Sequence, residues 1–175
     1  MSPGRLDRVT ELTVRRARTS DVPAVRALVD TYAPDRRLLS KATVVLYEDV
    51  QEFRVAELAG EVVGCGALHV MWEDLAEVRT VAVDPAHHGR GIGSAVLRAL
   101  LEGARELGIR RVFCLTFETA FFGRHGFVEA SDIPVDPGVA SELLQSPDEG
   151  VAEFLDLARV RPNTLGNTRM LLDLA

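Results

Sequence analysis

Cysteine is scarce: Cys65 and Cys114 are the only two in 175 residues, and neither belongs to a Cys-x-x-Cys pair. That excludes a disulfide framework and a thiolate metal site. Each cysteine sits inside an apolar, strand-like run, so both are expected as buried free thiols. Lysine is scarcer still, with Lys41 alone against nineteen arginines, and the net charge is −6. A chain of that balance lacks the basic surface that nucleic acid requires, so no nucleic-acid partner is expected. Apolar runs long enough to span a membrane are missing, as is a signal-peptide core, so a cytoplasmic protein with no membrane partner is expected. His87 and His88 are adjacent and point apart in extended backbone, so no metal is expected. Internal repeats and low-complexity linkers are absent too. Residues 1–12 read as a loose tail and 13–175 as one domain.

What is present is a hydrophobic content of 47% laid out with alternating period. Thr13 to Arg16 reads as a strand. Val22, Val25, Leu28, Val29 and Tyr32 then mark one face of a helix, with Ser20 or Asp21 as its cap and Pro23 in its first turn. A shorter helix follows over Thr43 to Gln51. Phe53–Leu58, the Ala59-Gly60 turn and Val62–Val70 read as an antiparallel hairpin, in which Gly64 and Gly66 mark close packing or a bulge. Glu77 to Val83 is a strand, Gly91 to Leu107 a long amphipathic helix closed by Gly108, and Arg111 to Phe117 another strand. Ala120 to His125 reads as a short helix and Phe127 onward as a strand. Residues 135–147 read as a helix, Val151 to Ala158 as either strand or helix, and Met170 to Leu174 as the last strand.

The strand ending at Val83 runs through Asp84-Pro85 into His88-Gly-Arg-Gly-Ile-Gly-Ser94, which opens the long helix. Glycines 89, 91 and 93 let backbone N–H groups converge on one spot, and the helix adds the positive end of its dipole. This is an anion-binding loop. The dinucleotide spacing G-x-G-x-x-G fails, because the position three beyond Gly91 is Ser94 and the one three beyond Gly93 is Val96. The nucleoside-triphosphate loop fails for want of Gly-Lys-Ser/Thr.

With His88, Gly91 and Gly93 at the defining positions, the stretch resembles the pyrophosphate loop Gln/Arg-x-x-Gly-x-Gly/Ala of the GCN5-related N-acetyltransferases (GNAT). Phe121-Phe-Gly-Arg-His-Gly-Phe127 is similar to the same family's F-Y-x-x-x-G-F region, with Phe122 where many members carry a tyrosine. The resemblance implies the family's α/β fold, a central mostly antiparallel mixed sheet with helices on both faces. It implies acetyl-CoA as co-substrate, its pantetheine along Val81 and Val83 and its diphosphate on His88, Gly89, Arg90, Gly91, Ile92, Gly93 and Ser94. Leu38-Leu-Ser-Lys41, Gly64-Cys-Gly-Ala-Leu68, Glu77, Leu115-Thr116 and Asn167-Thr-Arg169 together resemble the short, stand-alone bacterial N-acetylglutamate synthases.

That narrower resemblance implies an amino-acid N-acetyltransferase acting on glutamate or glutamine at the first step of arginine synthesis. Glu77 would be the general base, and Thr119 a candidate acid or else the cap of the short helix. Lys41, Thr168 and Arg169 stand where the synthases hold substrate, Arg79 could hold a side chain or pair with Glu77, and Leu39 and Thr80 could shape the pocket. Such a pocket should be small and basic. A wide acidic groove would point instead to a polyamine, a drug or a protein N-terminus, and the missing tyrosine leaves a catalytically silent acyl-CoA sensor as a third reading. A homodimer stays open.

Overall fold

The computed structural model describes residues 11–35, 38, 41–157 and 166–174. Seven strands form one sheet: β1 (Thr13–Arg16), β2 (Phe53–Leu58), β3 (Glu61–Trp72), β4 (Leu75–Val83), β5 (Arg111–Thr116), β6 (Val128–Glu129) and β7 (Thr168–Asp173). Their order is β1-β2-β3-β4-β5-β7-β6, antiparallel throughout except for the parallel pair β4–β5. The helices are α1 (Val22–Tyr32), α2 (Thr43–Glu48), α3 (Ile92–Glu106), α4 (Thr119–Gly123), α5 (Pro137–Leu143) and α6 (Glu149–Phe154).

Helix α3 owes its place to a stripe of Val96, Leu97, Leu100, Leu101 and Ala104, buried on one face of the sheet against Ala76, Val78, Val112 and Cys114. Each of these large side chains contributes about 1.5–3 kcal/mol by leaving water. The opposite face is covered by α1 and α2 over Phe53, Val55 and Cys65, and by α5 and α6 over Leu75 and Phe113. Gly64 and Gly66 admit α3 to the sheet, since a Cβ at either would come within 2.8 Å of Ile92 or 2.9 Å of Val96. Both cysteines are buried and free. Burial pushes the Cys65 thiol up to about 12, and that of Cys114 upward as well.

Several boundaries differ from expectation for identifiable reasons. Asp21 does not cap α1. A single turn of 3-10 helix over Thr19–Asp21 already places Asp21 in helical backbone, and its carboxylate turns back to accept the Arg18 N–H and pair with Arg15, both at 2.7 Å. The second helix stops at Glu48, followed by a separate 3-10 turn at Val50–Glu52. The undecided segment near Val151 is helical, started by Asp148, whose carboxylate accepts the Val151 N–H at 3.0 Å.

Two irregularities in β4 shape the functional region. Its pairing with β5 stops at Glu77↔Phe113, so the two parallel strands diverge beyond that point. Against β3, the register passes from Ala67↔Arg79 to Cys65↔Ala82, three residues facing two, with Thr80 in left-handed backbone at φ +58°. Such a bulge reverses which face each later side chain takes. Leu75, Glu77 and Arg79 therefore lie on the α6 side, whereas Val81 and Val83 pack toward α3.

Candidate active site

The divergence of β4 from β5 opens two clefts that share Leu38, Arg79, Thr80 and Leu115 along their boundary. The first, of about 480 Å³, runs between the strand ends and the start of α3. Val81, Val83, His88, Gly89, Gly91, Ile92, Gly93 and Ser94 all line it, and of the expected loop residues only Arg90 does not. Gly89 and Gly91 hold φ of +75° and +76°, a conformation that glycine adopts without strain. A Cβ at Gly91 would meet no other protein atom within 4 Å, so within the protein itself the constraint there is conformational. Gly93 lies within α3, where a Cβ would meet Phe121 and Val83 at ordinary contact distances of 3.5 and 3.6 Å.

The two glycines therefore test different things. Gly91→Val mixes folding with binding, because left-handed backbone costs a side chain about 1–2 kcal/mol. Gly93→Ala should leave the urea midpoint unchanged or raised, since alanine favours helix by about 1 kcal/mol. It should weaken acetyl-CoA binding at least about tenfold by calorimetry, because it adds a methyl group to the cleft wall. Unchanged affinity in the folded variant would remove Gly93 from the cofactor loop.

His88 stands on this cleft beside Tyr32, a residue that sequence reasoning placed only on a helical face. Tyr32 Oη donates to the Val83 carbonyl and lies 2.6 Å from His88 Nε2, tying α1 to the end of β4. Phe122, at the family's tyrosine position, is buried edge-to-face between Phe121 and Phe127 and offers no proton. Thr119 lines neither cleft and is the first residue of α4, whose cap position is held by Glu118. The hydroxyl that accepts the Glu118 N–H is that of Thr116, at 2.8 Å, which also lines the first cleft.

The second cleft, of about 510 Å³, lies between α2, α6 and the strand ends. Glu77 stands on its floor, only 4% exposed, with Oε2 lacking a hydrogen-bond partner. Burial raises its carboxyl to about 6, against the opposing pull of Arg79 at 3.7 Å. Arg79 is itself held by Asp148 at 3.0 Å and Glu52 at 3.5 Å, and Glu52 also binds His69 at 2.7 Å. Gly150 allows this approach, because a Cβ there would stand 2.6 Å from Glu77 Oε2 and 2.8 Å from Arg79 Nη1. Glu153, one turn further along α6, is 6% exposed, with Oε1 likewise unpartnered.

Lys41 and Thr80 line the second cleft as expected, with Lys41 Nζ 3.5 Å from Asp49. Thr168 and Arg169 do not line it; Asn167 does. Arg169 is occupied in clamping the end of α6, donating to the Glu153 and Phe154 carbonyls at 3.2 and 3.0 Å. Leu39 lies outside the described residues. Among the described residues, six carboxylates and two cations line this cleft, where a basic pocket was expected. Among the described residues no cluster suited to a metal ion occurs, and no helix is long and apolar enough to cross a membrane.

Comparison with known proteins agrees with this geometry. Residues 22–127 match the acetyltransferase (GNAT) family. A curated relative from Mycobacterium tuberculosis named amino-acid acetyltransferase is 64% identical over 162 residues, covering 91% of this chain and 92% of its own length. The crystal structure of Rv2747 from Mycobacterium tuberculosis in complex with CoA and NLQ is similar at a TM-score of 0.90 with 63% identity, over 93% of this chain and 99% of that one. An N-acetylglutamate synthase structure from Neisseria gonorrhoeae shares the fold, at a TM-score of 0.74 and 24% identity, over 94% of this chain and 35% of that one. The chain belongs to the acetyltransferase (GNAT) family, whose acetyl donor is acetyl-CoA.

Proposed function

We propose that this protein transfers the acetyl group of acetyl-CoA to the α-amino group of an amino acid, with L-glutamate the first acceptor and L-glutamine the second. With glutamate, the reaction is the first step of arginine synthesis. The observation that carries the reading is Glu77, a buried carboxyl on the second cleft beside the boundary residue Arg79, with an oxygen that has no hydrogen-bond partner. The 64% identical relative named amino-acid acetyltransferase supports an amino acid as the acceptor.

The donor occupies the first cleft, its diphosphate against the glycine loop and the positive end of α3, a helix of 15 residues. Its pantetheine extends along Val81 and Val83 in the manner of an added strand, where β5 has moved away from β4. That route brings the thioester toward Thr80 and Leu115, the shared edge of the clefts. The acceptor arrives as an ammonium and must lose a proton before its lone pair is free. Glu77, raised to about 6, is ionised at neutral pH yet basic enough to take that proton. The amine then forms the C–N bond, the tetrahedral carbon expels CoA thiolate as C–S breaks, and the nitrogen gives its second proton to solvent. Phe122 supplies nothing to the thiolate, a stable anion that leaves unassisted and takes its proton from solvent.

Lys41 is the cation we assign to an acceptor carboxylate. Lys41→Ala should raise the acceptor KM by about tenfold or more, the equivalent of one charge-assisted contact, while the acetyl-CoA KM stays unchanged. The acidic lining favours a second reading, a polyamine acceptor. A screen of the amino acids and of spermidine at fixed acetyl-CoA, followed by release of free CoA, decides between them. Turnover with glutamate or glutamine well above spermidine is expected; the reverse order, or no turnover with any amino acid, overturns the proposal.

A further inference from the structure

The acceptor cleft holds a second carboxyl with the same peculiarity as Glu77. Glu153 comes from α6, opposite β4, and is nine-tenths buried with Oε1 unpartnered. Two carboxyls on different elements thus line one cavity, each with a buried oxygen that has no hydrogen-bond partner. Leaving such oxygens unsatisfied is costly, so the pair is complete only when a donor stands between them. We propose that Glu153 and Glu77 form a two-carboxylate cradle for the acceptor's ammonium, Glu153 binding and orienting the nitrogen while Glu77 takes its proton. This rests on the amino-acid acetyltransferase reading and adds a residue to it.

The chemistry of the surroundings agrees. Burial, then the charge of Glu77, then those of Glu149 and Asp148, push Glu153 up to about 7, with Arg79 pulling the other way. Glu77 is in turn faced by Arg79, Asp148, His69 and Lys41, and Arg169 touches Glu153 only at its carbonyl. Two like carboxyls in one site lose their protons in separate steps, at about 6 and about 7 for this pair. Near pH 6.5 the empty pair therefore keeps one proton. An ammonium entering between them displaces it, because three N–H donors meet two acceptors only when both carboxyls are ionised. The excess of carboxylate over cation along the cleft then serves the positive end of the acceptor, with Lys41 left for its carboxylate.

The test is Glu153→Gln in the full chain. It should raise the acceptor KM by about tenfold or more and leave the acetyl-CoA KM unchanged. It should also move the acid limb of kcat/KM for the acceptor from about pH 7 to about pH 6, since Glu77 alone then has to ionise. A residue that only supports α6 would not move that limb downward. Wild-type kinetics and an unmoved limb in the variant, alongside an active wild type, overturn the cradle and leave the broader reading intact. A wild type inactive toward every amino acid overturns the broader reading itself. Should the variant fail to fold, calorimetry of glutamate binding to the CoA-saturated wild type at pH 6.5, in buffers of different ionisation enthalpy, decides: release of close to one proton supports the cradle and no release overturns it.

Discussion

Glu77→Gln should lower kcat at pH 7 by about a hundredfold to ten-thousandfold, the usual range for removing a positioned base. The substitution keeps the size of the side chain and its place on β4, so acetyl-CoA binding should be unchanged. Below the pKa of the acceptor's amine, the residual rate should climb about tenfold per pH unit, because solution then supplies the neutral amine that Glu77 no longer makes. The wild type should instead level off above the pH at which its carboxyls are ionised. Stability should change in the opposite sense to activity. Burial, opposed by Arg79, raises the folded carboxyl from the ordinary 4.5 to about 6. A raised carboxyl adds stability below its unfolded value and loses it as pH rises through the folded one. The charged form is thus a liability at neutral pH, and Glu77→Gln should gain up to about 2 kcal/mol above pH 6 and little below pH 4. A variant as active as wild type at pH 7 under chemistry-limited conditions would remove Glu77 as the base.

How far the sequence reached is clear from which features depend on neighbours in the chain. The cofactor side was legible because its signals are local: a strand, a Pro turn, alternating glycines and an apolar stripe occupy consecutive residues, and the loop residues except Arg90 line one cleft. The acceptor side is assembled from distant segments. Arg79 meets Asp148 across 69 residues of chain, and the segment from Val151 to Ala158 was ambiguous between helix and strand because so short a stretch does not fix a period. Gly150 and Glu153 were consequently missed, although Pro147-Asp148 ahead of the segment was a readable helix start. Likeness of position misplaced Arg169, which stands in the corresponding place along the chain while its guanidinium turns to the end of α6. Thr119 was read as a candidate acid or cap from its place before the short helix, whereas the fold puts Glu118 at the cap position and shows the Thr116 hydroxyl accepting the Glu118 N–H. The acidic lining was illegible for a simpler reason, since half of its carboxylates arrive with Asp148, Glu149 and Glu153.

That same long-range assembly makes Arg79→Met the most damaging substitution expected for the fold itself. The guanidinium is almost enclosed and stands among three carboxylates, with Asp148 at 3.0 Å, Glu52 at 3.5 Å and Glu77 at 3.7 Å. Methionine fills part of the volume and removes the charge, leaving buried carboxylates uncompensated, a change that typically costs about 3–5 kcal/mol. The pH dependence identifies the cause. Asp148 lies below its ordinary range in the folded protein: burial pushes it up, but the hydrogen bond and charge of Arg79, with His69 and the Val151 N–H, outweigh burial. A depressed carboxyl supplies stability above its unfolded value and loses it as pH falls through the folded one. In Arg79→Met that contribution is gone and Glu77 rises further, since Arg79 was the group holding it down. The difference in urea midpoint between wild type and variant should therefore be greatest near pH 8, shrink as Glu77 protonates around pH 6, and shrink again only below pH 4, where Asp148 protonates in the wild type. Because Asp148 also starts α6, the loss should reach Gly150 and Glu153, and the acceptor KM should rise before the acetyl-CoA KM does. A deficit that is the same at pH 8 and pH 4 would mean that Arg79 acts by packing alone and that its charge does not organise the cleft.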